Sequence, residues 1–169
     1  MRAYYVKTAF QPQFELDDAK RLVEALHADM TVLLVDILSD TRVAANPANR
    51  CYFCKKSIFS SILHAASADG FTTLIDGTNA SDDAGDRPGM QALRELKVYS
   101  PLRDCGLTKA DVRRLSKEAG LFTWNKPAYA CLATRIPAET PITPEDLART
   151  EKAEDYLSSL GFTDFRVRQ

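Results

Sequence analysis

Met30-Thr31-Val32-Leu33-Leu34-Val35-Asp36-Ile37-Leu38 is the stretch that decides the fold. It is a strand-length run dominated by Val, Ile and Leu. Such a run suits a strand buried on both faces, as in a parallel sheet covered by helices. Its neighbours agree. Ala3–Ala9 is short and β-rich. Between the two lies Leu16–Ala28, where Leu16, Ala19, Leu22, Val23 and Leu26 recur at helical spacing with charges on the other face. A strand, a helix and a strand in this order make a βαβ unit with a right-handed crossover.

The alternation continues. Cys54–Ala68 carries Ile58, Ile62, Ala65 and Ala66 on one helical stripe, closed by Asp69-Gly70. Thr72–Ile75 reads as another buried strand, Met90–Leu96 as a short helix and Val98–Leu102 as a short extended piece. Thr108–Ala119 is a helix whose Thr108 and Asp111 resemble a capping box, with Gly120 beyond the end. In Thr143–Leu160, Thr143 caps, Pro144 fits the first turn, Glu145 and Asp146 complement the dipole, and Gly161 closes the helix. Phe162–Arg168 reads as a final strand, with Phe165 and Val167 alternating against Arg166 and Arg168. The fold class is therefore α/β: a Rossmann-like parallel sheet with flanking helices. The Pro137–Pro144 segment reads as a short, stiff linker to a final αβ segment, which divides the chain into residues 1–136 and 137–169. Sites in such sheets lie beyond the carboxyl ends of the strands. That selects three loops, Asp36–Arg50, Asp76–Gly89 and Phe122–Arg135.

Composition narrows the function class. The chain has 169 residues, 22 basic and 23 acidic side chains, and a net charge of -1. A balanced charge argues against a nucleic-acid partner, which calls for a basic surface. No apolar run reaches membrane-spanning length, and the N-terminus lacks a signal-peptide layout. The expected compartment is the cytoplasm, where the four cysteines stay reduced.

Cysteine chemistry stands out. Arg50-Cys51-Tyr52-Phe53-Cys54-Lys55-Lys56 sets two thiols at a helix start beside basic residues, where dipole and lysines favour thiolate. Thiolates bind iron and zinc. A lone C-x-x-C supplies half of a four-ligand site, and Cys131 and Cys105 are candidates to extend it. Ordinary half-buried cysteines and a redox dithiol are the alternatives. Asp76-Gly77-Thr78-Asn79, with Asp82, Asp83, Asp86 and Arg87-Pro88-Gly89, offers groups for a nucleotide, metal or phosphate, or simply a set of turns. Trp124-Asn125-Lys126-Pro127-Ala128-Tyr129-Ala130-Cys131-Leu132-Ala133-Thr134-Arg135 brings a thiol, a hydroxyl and a guanidinium within five residues, although Trp124 also suits a core. Arg166 and Arg168 make a two-pronged anion grip or a solvated strand face. His27 and His64 read as helix-surface or packing residues. There is no G-x-x-x-x-G-K-[ST] loop, G-x-G-x-x-G fingerprint or G-x-S-x-G elbow.

Together these segments resemble the LarE family. They are N-P-x-x-R-C-Y-F-C-K-K, D-G-T-N-x-x-D-x-x-x-x-R-P-G, S-P-L, G-L-T-K, T-W-N-K-P-A-x-A-C-L-A-T-R-I-P and F-R-V-R. LarE proteins are ATP-dependent sulfur transferases of the PP-loop (adenine nucleotide α-hydrolase-like, HUP-type) superfamily. The resemblance implies ATP/Mg, adenylation of a carboxylate on a pyridinium biscarboxylate mononucleotide, and sulfur attack giving a thiocarboxylate for the nickel-pincer nucleotide. It implies that Cys51, Cys54 and Cys131 hold a 4Fe–4S cluster and act as the catalytic cysteines. The sacrificial cysteine of the other LarE type falls at Ala130. By the same resemblance Thr134, Arg135, Arg166 and Arg168 meet the substrate phosphate, while Asp76, Gly77, Asn79, Lys55 and Arg87 contact the nucleotide cofactor. Glu154 falls at a metal-binding position. The family's S-G-G-x-D-S phosphate loop is not found in this sequence. The resemblance implies a partial PP-loop domain over residues 1–136 and the start of a small C-terminal α+β substrate and sulfur-transfer domain over 137–169, with a homo-oligomer or a complementing PP-loop segment as partner. The other expectations are tRNA thiolation by a related PP-loop enzyme, and a zinc or redox module built on the C-x-x-C pair.

Overall fold

The computed structural model describes residues 1–82 and 88–169. Among these residues the chain is α/β, with one two-stranded parallel sheet and seven α-helices. Strand β1 is Ala3–Lys7, helix α1 is Gln13–Ala25 and strand β2 is Met30–Leu34. The strands pair in register from Ala3 opposite Met30 to Lys7 opposite Leu34. The βαβ unit is therefore present as the sequence suggests.

The chain forms two compact units. The first comprises Met1–Cys54 and Tyr129–Gln169. It holds β1, α1, β2, helix α2 (Thr41–Ala44), the first turn of helix α3 (Arg50–Ala68), a 3-10 turn at Leu132–Arg135 and helix α7 (Pro144–Ser159). The second unit, Lys55–Ala128, holds the rest of α3, helix α4 (Pro88–Glu95), α5 (Pro101–Asp104) and α6 (Lys109–Glu118). These lines differ from the 1–136 and 137–169 division. The Pro137–Pro144 segment is strapped to the first unit instead. Glu139 N–H donates to Asn46 O at 2.9 Å and Ile142 N–H to Ala44 O at 2.8 Å.

The first unit's core gathers Val6, Phe10, Leu16, Ile37, Val43, Leu132, Ala133, Ile136, Ile142 and Leu147. Residues from both ends of the chain thus close one core. The Leu132 N–H donates to Phe10 O at 2.9 Å, and Gln13 N–H at the start of α1 donates to Glu151 of α7 at 2.8 Å. The latter contact supplies a carboxylate to a helix N-terminus whose own preceding residue, Pro12, offers no side-chain cap.

Several helix ends obey their local signals. Thr108 and Asp111 form a full capping box on α6. Thr143 accepts from Asp146 N–H, and Pro144 opens α7. Gly161 follows at φ 87°, a conformation that costs glycine little.

Several local expectations are corrected. The Met30–Leu38 run forms a strand only to Leu34, and Ile37–Ser39 is a 3-10 turn. The strand is not buried on both faces: Leu34 is 81% exposed. Among the described residues β2 has one neighbouring strand, so no second strand pairs with its other edge. Thr72–Ile75 contributes a single parallel bridge, Ile75 to Tyr99, rather than a strand. The expected Asp36–Arg50 loop contains α2, started by Asp40 accepting from Arg42 N–H at 3.0 Å, and α3 begins at Arg50 rather than Cys54. Phe162–Arg168 has no ladder partner among the described residues. Its backbone is held by side chains, as Val167 N–H donates to Glu154 at 3.0 Å. The alternation of Phe165 and Val167 is real in sequence, but a strand also needs an edge to pair with. Trp124 is not core. It is 36% exposed, with the Lys117 ammonium 4.7 Å from the ring centroid.

Asn46 carries more of the fold than its turn signal implies. It sits at φ 55° and is 1% exposed. Its Nδ2 donates to Pro137 O at 2.7 Å and Thr140 O at 3.0 Å. Its Oδ1 accepts from the Arg50 guanidinium. One side chain thus ties α3 to the Pro137–Pro144 segment. Replacing Asn46 with Ala takes its partner from two carbonyls and from the buried Arg50 donor. The expected loss is about 2–4 kcal/mol, read from the urea midpoint. Asn46→Gly should recover roughly 1 kcal/mol of that through its tolerance of positive φ. Equal midpoints for the wild type and Asn46→Ala would contradict this role.

Candidate functional site

The first unit brings together the start of α3 and the 3-10 turn at Leu132–Arg135. Arg50 is the connector. Its Nη1 donates to Ala133 O at 3.1 Å and to Asn46, while Nη2 lies 4.0 Å from the Cys51 sulfur. The Phe10 ring supports the guanidinium at 5.9 Å. Arg50 is 8% exposed, so its charge acts where water screens weakly. The result places Cys51 and Cys131 within electrostatic reach of one another. Burial pushes the Cys131 thiol up, the Arg50 guanidinium draws it down, and Cys51 adds a further upward push. Cys51 is exposed, Cys54 and Cys131 are half-buried, and all three are free thiols in the same unit. Cys105 is exposed and lies in the other unit. Among the described residues no three His, Cys, Asp or Glu side chains are grouped to hold a single metal ion.

Beneath Cys131 lies a buried ion pair. Arg135 Nε donates to Glu154 Oε1 at 2.8 Å and Nη2 to Oε2 at 3.1 Å. The side chains are 1% and 6% exposed. Arg135 Nη1 also donates to Ala130 O and Thr134 Oγ1, each at 2.8 Å, with Cys131 O at 3.4 Å. Tyr129 completes the cluster. Its hydroxyl donates to Glu154 Oε2, and Arg135 and Arg166 lie 4.6 and 5.5 Å from its ring centroid. Phe14 meets the same ring edge-on at 5.1 Å. Burial, then the Glu154 carboxylate, holds the Tyr129 phenol far above its ordinary range. For Glu154, burial acts upward, but hydrogen bonds from Arg135, Tyr129 and Val167 N–H outweigh it and leave the carboxyl below its ordinary value.

Other residues singled out from sequence fall as follows. Thr134 is exposed, and its hydroxyl donates to Cys131 O at 2.9 Å. Arg166 is half-buried and Arg168 exposed, on either side of Val167. In the second unit, Asp76 accepts from Thr78 N–H at 3.2 Å, Thr78 Oγ1 at 2.6 Å and Ser100 Oγ at 2.7 Å. Asn79 accepts from Ser81 N–H at 3.0 Å, and Gly77 is exposed. The Asp76–Asn79 groups thus build turns, as such residues commonly do. The Lys55 stem packs against Gly89, where an added Cβ would lie 3.0 Å from Lys55 Cδ. Arg87, Asp83 and Asp86 lie outside the described residues. The Asp76–Asn79 turn belongs to the second unit, whereas Cys51, Cys54 and Cys131 belong to the first.

Two features escape sequence reading. The first is the Tyr129–Glu154–Arg135 cluster, whose ion pair spans 19 residues. The second is a cavity of about 500 Å³ at the carboxyl ends of β1 and β2, lined by Lys7, Thr8, Gln11, Leu34, Asp36 and Glu151. The strand-end rule points to it, and Thr8 and Gln11 shape its floor through a 2.7 Å hydrogen bond.

The depressed Glu154 carboxyl has a consequence for acid stability. A group lowered on folding stabilises above its unfolded value and loses that contribution as pH falls through its folded one. Wild-type stability should therefore drop below about pH 4.5 more steeply than that of Glu154→Gln. Urea midpoints taken from neutral pH down to about 3 check this. Parallel curves would contradict it.

No protein-family model matches the chain. Among curated proteins it is 38% identical over 164 residues to an uncharacterized protein of Synechocystis, covering 95% of this chain and 61% of the relative. It is 29% identical over 164 residues to an uncharacterized protein of Methanocaldococcus jannaschii, covering 97% of this chain and 62% of that one. The chain thus spans less than two thirds of the length of the curated relatives it matches. The one with a stated activity is the pyridinium-3,5-bisthiocarboxylic acid mononucleotide synthase of Lactiplantibacillus plantarum, 36% identical over 154 residues, 91% of this chain and 56% of the enzyme, and this similarity supports the LarE-like resemblance.

Proposed function

We propose that the chain is a LarE-type ATP-dependent sulfur transferase with a HUP-type fold, acting in nickel-pincer nucleotide synthesis. The observation that carries the reading is the pairing of Cys51 with Cys131 across Arg50, in a chain similar to a bisthiocarboxylate synthase. A substrate carboxylate is a poor acceptor, because its oxygen is a poor leaving group. Attack of that oxygen on the α-phosphorus of ATP forms the acyl adenylate and releases pyrophosphate. A sulfur nucleophile then displaces AMP and leaves the thiocarboxylate.

The roles divide by unit. In the first, Thr134, Arg166 and Arg168 face the phosphate of a pyridinium mononucleotide. In the second, Lys55, Asp76, Gly77, Asn79 and Arg87 serve ATP/Mg. The three thiols Cys51, Cys54 and Cys131, all in the first unit, are a suitable donor set for iron in a 4Fe–4S cluster. Held by Cys51, Cys54 and Cys131, the cluster would supply sulfide for attack on the activated carboxylate. The protein's own contribution is to hold the free thiols of Cys51, Cys54 and Cys131 on one unit. Arg50 contributes by favouring thiolate on Cys131, and by holding Ala133.

Anaerobic reconstitution with iron and sulfide tests the thiol set. The wild-type chain should gain iron, sulfide and broad visible absorption, and Cys131→Ala should lose them while Cys105→Ala keeps them. A wild-type chain that stays colourless and iron-free would contradict the cluster. Uptake of zinc that persists in Cys131→Ala would favour a two-cysteine structural site.

A further inference from the structure

Glu154 accepts four hydrogen bonds: Arg135 Nε and Val167 N–H on Oε1, and Arg135 Nη2 and the Tyr129 hydroxyl on Oε2. A carboxylate has about four lone-pair directions. All are taken by protein donors in a pocket where the Glu154 side chain is 6% exposed. A metal ion would have to displace Arg135 or Tyr129: the first would leave a buried guanidinium without its counter-charge, the second a half-buried hydroxyl without its acceptor. The geometry does not fit a metal ligand.

The four donors belong to two segments of the candidate site. Arg135 carries the thiol segment, because its remaining N–H groups clamp Ala130 O, Cys131 O and Thr134 Oγ1. Val167 N–H lies between Arg166 and Arg168, and the next contact, Gln169 N–H to Arg135 O at 3.1 Å, closes the same loop from the other side. Tyr129 joins them, with guanidiniums of both segments against its ring. We propose that Glu154 is a positioning residue that holds the Cys131 thiol and the Arg166–Arg168 anion grip at a fixed separation, through Arg135 on one side and the Val167 N–H on the other.

The inference rests on the reading of Cys131 and the two arginines as members of one site, but its test does not require sulfur transfer. The full chain is treated with limiting iodoacetamide at constant pH, and the alkylation rate of each cysteine is read by peptide mass spectrometry. Releasing the clamp in Glu154→Gln should raise the Cys131 rate roughly tenfold, the factor that corresponds to losing about one net hydrogen bond's hold on the segment. Cys105, in the other unit, should not change. Circular dichroism establishes that the variant is folded. If Glu154→Gln does not fold, Tyr129→Phe removes one of the four bonds and keeps the ion pair, and a selective rise of about threefold in Cys131 is expected.

Three results would overturn the proposal. One is an unchanged Cys131 rate in a folded variant. Another is a parallel rise at Cys105, which marks general loosening. The third is Mn²⁺ bound by the wild-type chain and lost in Glu154→Gln, seen by electron paramagnetic resonance, with Cys131 alkylation unaltered. Failed iron reconstitution combined with a selective Cys131 change would refute the cluster and leave the positioning role standing.

Discussion

The buried Arg135–Glu154 pair constrains the first unit more than any other contact. Two opposite charges are removed from water at 2.8 and 3.1 Å, and such a pair is tolerated only when the remaining donors and lone pairs are satisfied. Here they are satisfied by the backbone of the thiol segment, by Tyr129 and by the C-terminal segment. The pair therefore dictates where three pieces of chain meet. Hydrophobic burial alone is non-directional and would not specify that meeting point. Leu132, Ala133 and Ile136 fill the core next to it, and Leu147 does so from α7.

Arg50 has a comparable role nearby in the same unit. It is buried, it is fixed by Asn46, and it reaches both the Cys51 sulfur and the 3-10 turn beyond Cys131. Two arginines thus approach the thiol segment, one from α3 and one from within the segment itself. The first acts on thiol electrostatics. The second acts on backbone position. At Cys131 burial outweighs the Arg50 charge that favours thiolate and holds the thiol above its ordinary range.

Much of the local architecture is legible in residue order. The capping pairs Thr108–Asp111 and Thr143–Asp146 are local hydrogen bonds, and local bonds are written in adjacent residues. The βαβ start follows from hydrophobic period. Apart from α2 and the earlier start of α3, the readings that changed concern partners distant in sequence. The Met30–Leu38 pattern specifies apolar content but not how many strands flank it, and Leu34 ends up exposed. Phe165 and Val167 alternate as a strand would, yet their backbone finds a side chain on α7 rather than an edge. Within the site, the thiols are visible as a pattern. Arg135 is visible only as a positive charge near a thiol. That it faces inward depends on Glu154, and nothing in the intervening sequence announces the contact. Asn46 is the same case: Asn-Pro signals a turn, while its grip on Pro137 and Thr140 is a long-range fact.

Arg135 and Glu154 act as one unit that organises the thiol segment. A double-mutant cycle on unfolding free energy reads this directly, using Arg135→Met, Glu154→Met and the double variant. If the pair is the tie described, each single change leaves a buried charge without its partner, and the double variant should be less destabilised than the sum by about 2 kcal/mol or more. Strict additivity, with a coupling near zero, would contradict it.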